Sequence, residues 1–579
     1  MVGIRLVGAA CVVGMTCVAG GAWAQSVPGP ADLDAIQRQQ QQILRDQEER
    51  QRLLEEERRS RTRTAPKPRP EEAAPSGQQG DARCFEVARI TLEGISETSL
   101  GDVSDLLAAN SGRCLGLAEI DALVRALTNR YVELGYSTTR VYIPQQDLGS
   151  GVLRLIVREG RVETLELDEP GPHGGRLATA FPGVEGEVLN LRDIEQGLDQ
   201  INRLRANDAS MEITPGSTPG ASTVTIRNRR QARWFAAAGV DNSGSKSSGE
   251  HQAYSQLEMD DAVGLNDLWS LDARRSLDDE SGIRKSESLS GFVSVPFGYW
   301  TASLSASWFD YRSPVTGSVQ TFETSGATRT WKARLERVVH RDAVSKTSVS
   351  GAFALKDTFN YVEDTRLDAS SRRLAIATVD VAHSRRILGG ALSLGLAHDA
   401  GLHTMGAESD AGRDPDAPEA QFEKWTADAS YWHPLPAPEG YALSWASAAR
   451  GQWTPDTLHS TERISIGSQY SVRGFKEQSA SGDVGGYLRN DLSLTLPASG
   501  DADFDRLFGR ISLGLGYDVG AIRRDRADAY ERGRLSGAAL SVSSGGRIPI
   551  RAVWARPISA PSFIARDDNV FYVSMGVSF

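Results

Sequence analysis

The sequence predicts two small α+β domains in tandem, followed by an all-β transmembrane barrel of about 16 strands and preceded by a polar helix. Three observations predict this. From about residue 231 to Phe579 helix signals almost vanish, and short segments alternate apolar and polar residues with period two. Between 84 and 230 one pattern, β-α-α-β-β, occurs twice at a spacing of about 75 residues. Ahead of both, residues 31–60 are rich in Gln, Glu, Arg and Leu with no Gly or Pro, a composition that favours helix. Mean hydropathy of −0.34 excludes a set of membrane helices. A net charge of −11 argues against a nucleic-acid partner.

The chain begins with a positive charge, Arg5, and a mostly apolar run from Leu6 to Val18; the small residues Ala22 and Ala24 then precede Gln25. This predicts a secretory signal over 1–24, cut after Ala24. Neither Cys11 nor Cys17 follows a lipid-attachment motif, and cleavage removes both. Cys84 and Cys114 remain, an even pair in an exported chain, and read as a disulfide. Its closed loop would contribute roughly 3–4 kcal/mol in the chain-entropy model; two buried free thiols are the other reading.

The helix predicted within 25–60 has few apolar residues: Leu33, Ile36, Ile43, Leu44, Leu53 and Leu54. It cannot bury a core alone and is either solvated or lodged in something polar. Residues 61–83, "RTRTAPKPRPEEAAPSGQQGDAR", predict an extended, disordered linker. The result is a helix on a leash.

The first repeat, 84–160, opens on a strand, "CFEVARITLEG". Two helical stretches follow, the second with Ile120, Leu123, Val124, Leu127, Tyr131 and Val132 at helical spacing. The strands "TTRVYIP" and "GVLRLIVREG" close it. The second repeat, 161–230, runs through "RVETLELDE", "GRLATAFP", "LNLRDIEQGLDQINRL", "SMEITPG" and "STVTIRN".

Over 231–579 the alternation recurs. Leu257 and Met259 oppose Gln256, Glu258 and Asp260. Ala302, Leu304, Ala306 and Trp308 oppose serines. Trp425, Ala427, Ala429 and Tyr431 oppose Thr426, Asp428 and Ser430. A soluble sandwich alternates too. Segments of about ten residues, short turns such as "VPFGYWT" set against long polar loops such as "LHTMGAESDAGRDPDAPEAQ", and a terminal Phe579 closing an apolar face favour a membrane barrel. At roughly 22 residues per strand and connection, the segment accommodates about 16 strands.

The stretch "LTNRYVELGYSTTRVYIPQQDLGSGVLRLIVREGRVE" resembles the POTRA domain of TpsB proteins, the outer-membrane transporters of two-partner secretion that export haemolysins and filamentous haemagglutinins. "VRGF" at 472–475 and "GLGYDVG" at 514–520 match that family's loop and barrel motifs. The resemblance covers essentially the whole mature chain. It implies a plug helix, two periplasmic POTRA domains and a 16-stranded barrel in the outer membrane. It further implies an unfolded exoprotein substrate with an N-terminal secretion domain, contact with outer-membrane lipid, and the barrel assembly machinery as a partner during biogenesis. No cofactor and no ATP are implied.

The resemblance also implies that the loop of Val472, Arg473, Gly474 and Phe475 folds into the lumen. A cation there needs a partner. On "GLGYDVG", Gly516 and Asp518 share a face with Gly520 next along it, and glycines leave room for a backbone to approach. Arg473 is expected to pair with Asp518 through two parallel hydrogen bonds; the blander reading leaves Arg473 in solvent. Exposed strand edges in the POTRA domains would let an unfolded chain add as a strand, with Tyr142, Ile143 and Pro144 near such a groove, although Tyr142 and Ile143 equally suit sheet packing. No nucleophile elbow, zinc-protease or phosphate-loop motif occurs and the eight His are scattered, so an enzyme and a metal site are not expected. The alternative function is an assembly insertase of the wider superfamily. An outer-membrane hydrolase is a third, weaker reading.

Overall fold

The computed structural model describes scattered positions between 32 and 52, and residues 84–579 apart from 96–102, 170–173, 279–281, 369, 416, 525–531 and 567–568. The predicted signal over 1–24 and linker over 61–83 lie outside the described residues.

The first domain comprises β1 (Cys84–Val87), β2 (Arg89–Glu93), α1 (Ser104–Asn110), β3 (Arg113–Gly116), α2 (Leu117–Glu133), β4 (Arg140–Tyr142) and β5 (Val152–Arg158). The single opening strand expected from sequence is broken at Ala88, because the amides of Ala88 and Arg89 both donate to the Gly151 carbonyl. β1 pairs with β3, and the main sheet runs β2-β5-β4. Helix α2 starts where the Glu119 carboxylate accepts from the Gly116 amide at 2.7 Å. It buries Ile120, Leu123, Leu127 and Tyr131 against Leu153, Leu155 and Val157. Val132, placed by spacing on that apolar face, is exposed instead, one step past the buried arc.

The second domain repeats the plan with β6 (Arg161–Asp168), α3 (Gly174–Ala180), α4 (Leu191–Asn202), β7 (Ala209–Pro215) and β8 (Ala221–Asn228), sheet order β6-β8-β7. Asn190 caps α4 by accepting from the Arg192 amide at 2.9 Å. Val162, Phe181, Ile194, Ile201, Val224 and Ile226 fill its core.

Sixteen antiparallel strands then close into one barrel, from Trp234–Asp241 to Val570–Ser578; the two-residue strand Thr365–Arg366 only extends a hairpin. Several strands exceed the expected length of about ten residues. Thr321–Arg341 has 21 residues. The alternation orients them. Leu257, Met259, Leu304, Trp331, Phe571 and Val573 stand exposed on the outer wall, while Gln252, Glu258, Asp260, Ser290 and Lys424 lie buried on the inner one. Among the described residues no helix is long and apolar enough to cross a membrane. Phe579 donates its amide to the Ala236 carbonyl at 2.9 Å, joining the last residue to the first barrel strand.

The described N-terminal positions are helical and lie inside the lumen. At one end Asp32 accepts from the Ser318 amide at 2.8 Å. Ile36 packs on Val315, Phe322 and Val362, and Ile43 and Leu44 pack on Phe309 and Tyr311. Gln39 donates to Ser313, Gln40 to the Tyr361 carbonyl (3.2 Å) and Gln42 to the Glu477 carbonyl (2.9 Å). At the other end Arg50 donates to Gln252 (3.0 Å) and Arg52 to the Tyr487 hydroxyl (3.1 Å).

Candidate functional site

The connection 454–483, at the barrel end away from the two small domains, does not stay outside. It turns into the lumen, where strand Ile464–Ile466 pairs with Ala480–Gly482. Its apolar side chains Ile464, Ile466, Val472 and Phe475 bury against Ile522, Leu535 and Ile564. The Tyr572 hydroxyl donates to the Phe475 carbonyl at 3.0 Å.

At the tip lies Arg473. Its Nε donates to Asp518 Oδ2 at 2.6 Å and its Nη2 to Asp518 Oδ1 at 2.7 Å, a two-bond fork. Its backbone amide donates to Asp518 Oδ2 at 3.0 Å. Asp518 belongs to the wall strand Ser512–Arg524 and is 0% exposed, and Arg473 is 3% exposed. Glycines make this approach possible. A Cβ at Gly516 would collide with the Arg473 guanidinium, one at Gly537 with the Arg473 carbonyl, and one at Gly520 would lie 2.9 Å from Val472. Gly474 has φ +101°, a conformation that side chains rarely adopt, and a Cβ there would lie 2.7 Å from the Arg556 carbonyl carbon.

Two features of this site are not in the sequence reading. Arg473 Nη1 also donates to Asp491 Oδ1 at 2.7 Å, on the neighbouring strand Val484–Thr495, where the Asp491 side chain is 39% exposed. Arg489 on that strand donates to the Tyr470 carbonyl at 2.8 Å. The group of Arg473, Arg489, Asp491 and Asp518 is therefore balanced, two charges of each sign. The stretch "YLRNDLSL" carries Arg489 and Asp491 on one strand face, a signal that sequence reasoning could have used. The second feature is another anchor on other wall strands. The buried carboxylate of Glu462 accepts from Lys356 at 2.6 Å and Lys424 at 2.8 Å, on strands Ser345–Val362 and Glu423–Leu435. The loop is thus pinned at two points, near its start through Glu462 and at its tip through Arg473.

Elsewhere, Tyr142 and Ile143 are 53% and 47% exposed, at and just past the free edge strand β4, with Pro144 half-buried. They do not pack the sheet. Cys84 and Cys114 form a disulfide that ties β1 to β3. Among the described residues no group of three or more His, Cys, Asp or Glu side chains is arranged to hold a metal ion.

The second domain is docked on the barrel rim. Arg203 is buried there, donating to Ser294 Oγ at 2.7 Å and to the Asn266 carbonyl at 2.5 Å. Burial lowers its guanidinium to about 10, and Asp260 and Asp267 act in the opposite direction. Arg341 meets Asp199 at 2.6 Å. The Tyr299 hydroxyl donates to Asp193 at 2.6 Å, and burial raises that carboxyl from its ordinary value.

A family model described as haemolysin secretion/activation protein ShlB/FhaC/HecB matches residues 220–544. A ShlB-type POTRA model matches 85–160 and a second POTRA model 161–215. The outer membrane transporter CdiB of Escherichia coli O6:K15:H31 (strain 536 / UPEC) is 36% identical over 555 residues, covering 95% of this chain and 90% of that protein. The hemolysin transporter protein ShlB of Serratia marcescens is 33% identical over 455 residues, 78% of each chain. The solved structure of CdiB from Escherichia coli aligns with a TM-score of 0.82 at 34% identity, covering 96% of this chain and 100% of that one.

Proposed function

This chain belongs to the haemolysin secretion/activation family ShlB/FhaC/HecB, and from that premise we propose that it captures one unfolded exoprotein on its POTRA domains and secretes it through the barrel. It is an outer-membrane transporter with its POTRA domains in the periplasm. The far end of the barrel then faces the cell surface. The exoprotein is of the TpsA type and carries an N-terminal secretion domain that adds to an exposed POTRA edge such as β4, beside Tyr142 and Ile143. The lumen helix is the resting plug. Arg473 and Asp518 clasp the infolded loop in its transporting conformation and carry out no chemistry, so the protein acts as a pore and not as an enzyme.

The observation that carries this reading is the two-part filling of the lumen. One part is a helix held by glutamine amide hydrogen bonds and a few apolar contacts along its middle and by Asp32, Arg50 and Arg52 at its ends. The other is a loop pinned by buried ion pairs. A pore that must open while keeping its shape needs one detachable occupant and one fixed one. The test deletes the gene and follows two quantities: surface release of any large exoprotein encoded beside it, and the levels of other outer-membrane barrels. Loss of release with other barrels unchanged is expected. Intact release with depleted barrels would favour the insertase reading.

A further inference from the structure

At the periplasmic rim a cleft of about 430 Å³ opens between the outer barrel wall and the second POTRA domain. Its two sides differ in kind. The barrel side presents Phe297, Trp300 and Arg337, which register places in one outward-facing row, Phe297 opposite Trp300 and Trp300 opposite Arg337. Leu304 and Leu335 share that face and stand exposed just above it, so the row continues the lipid-facing belt. The domain side presents Phe181 and, at the mouth, the exposed Glu187.

Asp193 in this cleft accepts from the Tyr299 hydroxyl at 2.6 Å, but two other charges there are unmatched. The Arg337 guanidinium lies 5.0 Å from the centre of the Trp300 ring, and no described carboxylate pairs with it. Glu187 likewise has no described cation partner. Both contrast with the nearby dock, where Arg341 meets Asp199 at 2.6 Å. An arginine stacked on a tryptophan at the membrane–water boundary is a phosphate receptor with an apolar flank.

We propose that this cleft binds one phospholipid of the periplasmic leaflet with a zwitterionic ethanolamine headgroup, its phosphate on Arg337, its ammonium toward Glu187 and its acyl chains along Phe297 and Trp300. A zwitterion satisfies both unmatched charges, whereas a purely anionic headgroup brings its charge against Glu187. The lipid spans from barrel wall to POTRA domain and becomes part of their joint. This inference rests only on the placement in the outer membrane, not on the secretion reading.

The experiment is native mass spectrometry of the full chain extracted from outer membranes in mild detergent, followed by add-back of phosphatidylethanolamine or phosphatidylglycerol. The wild type is expected to retain one phosphatidylethanolamine. Arg337→Gln and Glu187→Gln should each lower that occupancy about tenfold, the loss of one charge-assisted contact. Arg385→Gln, an exposed arginine near the same rim but outside the cleft, should leave it unchanged. With phosphatidylglycerol, Glu187→Gln should raise retention. A photoactivatable ethanolamine-lipid analogue should label 179–190 or 297–300 in the wild type, a reading independent of variant folding. The proposal is overturned by a wild type without retained phospholipid, by variants that match the Arg385→Gln control, by equal retention of both lipids, or by labelling confined to other segments.

Discussion

Arg473 uses all three of its guanidinium nitrogens on carboxylates, yet its two partners are unequal. Asp518 is fully buried and takes two side-chain bonds plus a backbone amide, whereas Asp491 takes one and is 39% exposed. Stranding a buried charge costs about 3–5 kcal/mol, and an exposed pair contributes about 0–1 kcal/mol. Asp518→Ala and Arg473→Ala should therefore still insert as heat-modifiable barrels but release little exoprotein, while Asp491→Ala should lose much less. Arg473→Lys should restore release only in part, since an ammonium lacks the planar fork. Gly516→Ala should resemble Arg473→Ala, because its methyl group occupies the guanidinium's place. Measured release decides the matter: an Asp518→Ala protein that secretes normally beside an inactive Arg473→Ala protein would refute the clasp. Asp518 was legible because "GLGYDVG" puts it on one face with two glycines. Lys356 and Lys424 were not legible as partners of Glu462, because 106 and 38 residues separate them and only the registers of a closed barrel bring them together.

The lumen helix illustrates what a single element can and cannot reveal. Its Gln- and Arg-rich composition and missing Gly and Pro announce a helix suited to a polar setting. Its docking partners, Phe309, Tyr311 and Val315, lie more than 250 positions downstream on strands that read only as alternating, so no local signal names them. The glutamine hydrogen bonds, between neutral groups, contribute about 0.5–1.5 kcal/mol each, and those of Asp32, Arg50 and Arg52, to charged groups, about 1.5–3 kcal/mol each, all made in exchange for bonds to water. Deleting residues 25–60 should accordingly raise single-channel conductance in planar bilayers and leave exoprotein release largely intact. Conductance equal to that of the full chain would remove the plug assignment. Elsewhere the same limits hold: the inward and outward faces of the barrel strands followed from period two, whereas the break at Ala88 depends on the distant Gly151 carbonyl.

For the molecule as a whole, the POTRA pair and the barrel are joined by buried polar contacts. Arg203 lies at their centre, with the Asp260 carboxylate accepting from the Ala206 amide at 2.8 Å beside it. Arg203→Ala should loosen this joint, seen as faster limited proteolysis within 228–233 while the barrel stays heat-modifiable. Unchanged digestion would assign the joint to Arg341 and Asp199 instead. One contact described above also has a topological consequence. The Phe579 amide donates to the Ala236 carbonyl, and Val570–Ser578 pairs with Trp234–Asp241, so the wall is an unbroken ring with no lateral seam. The helical residues inside that ring can therefore leave only along the barrel axis, through one of its two open mouths.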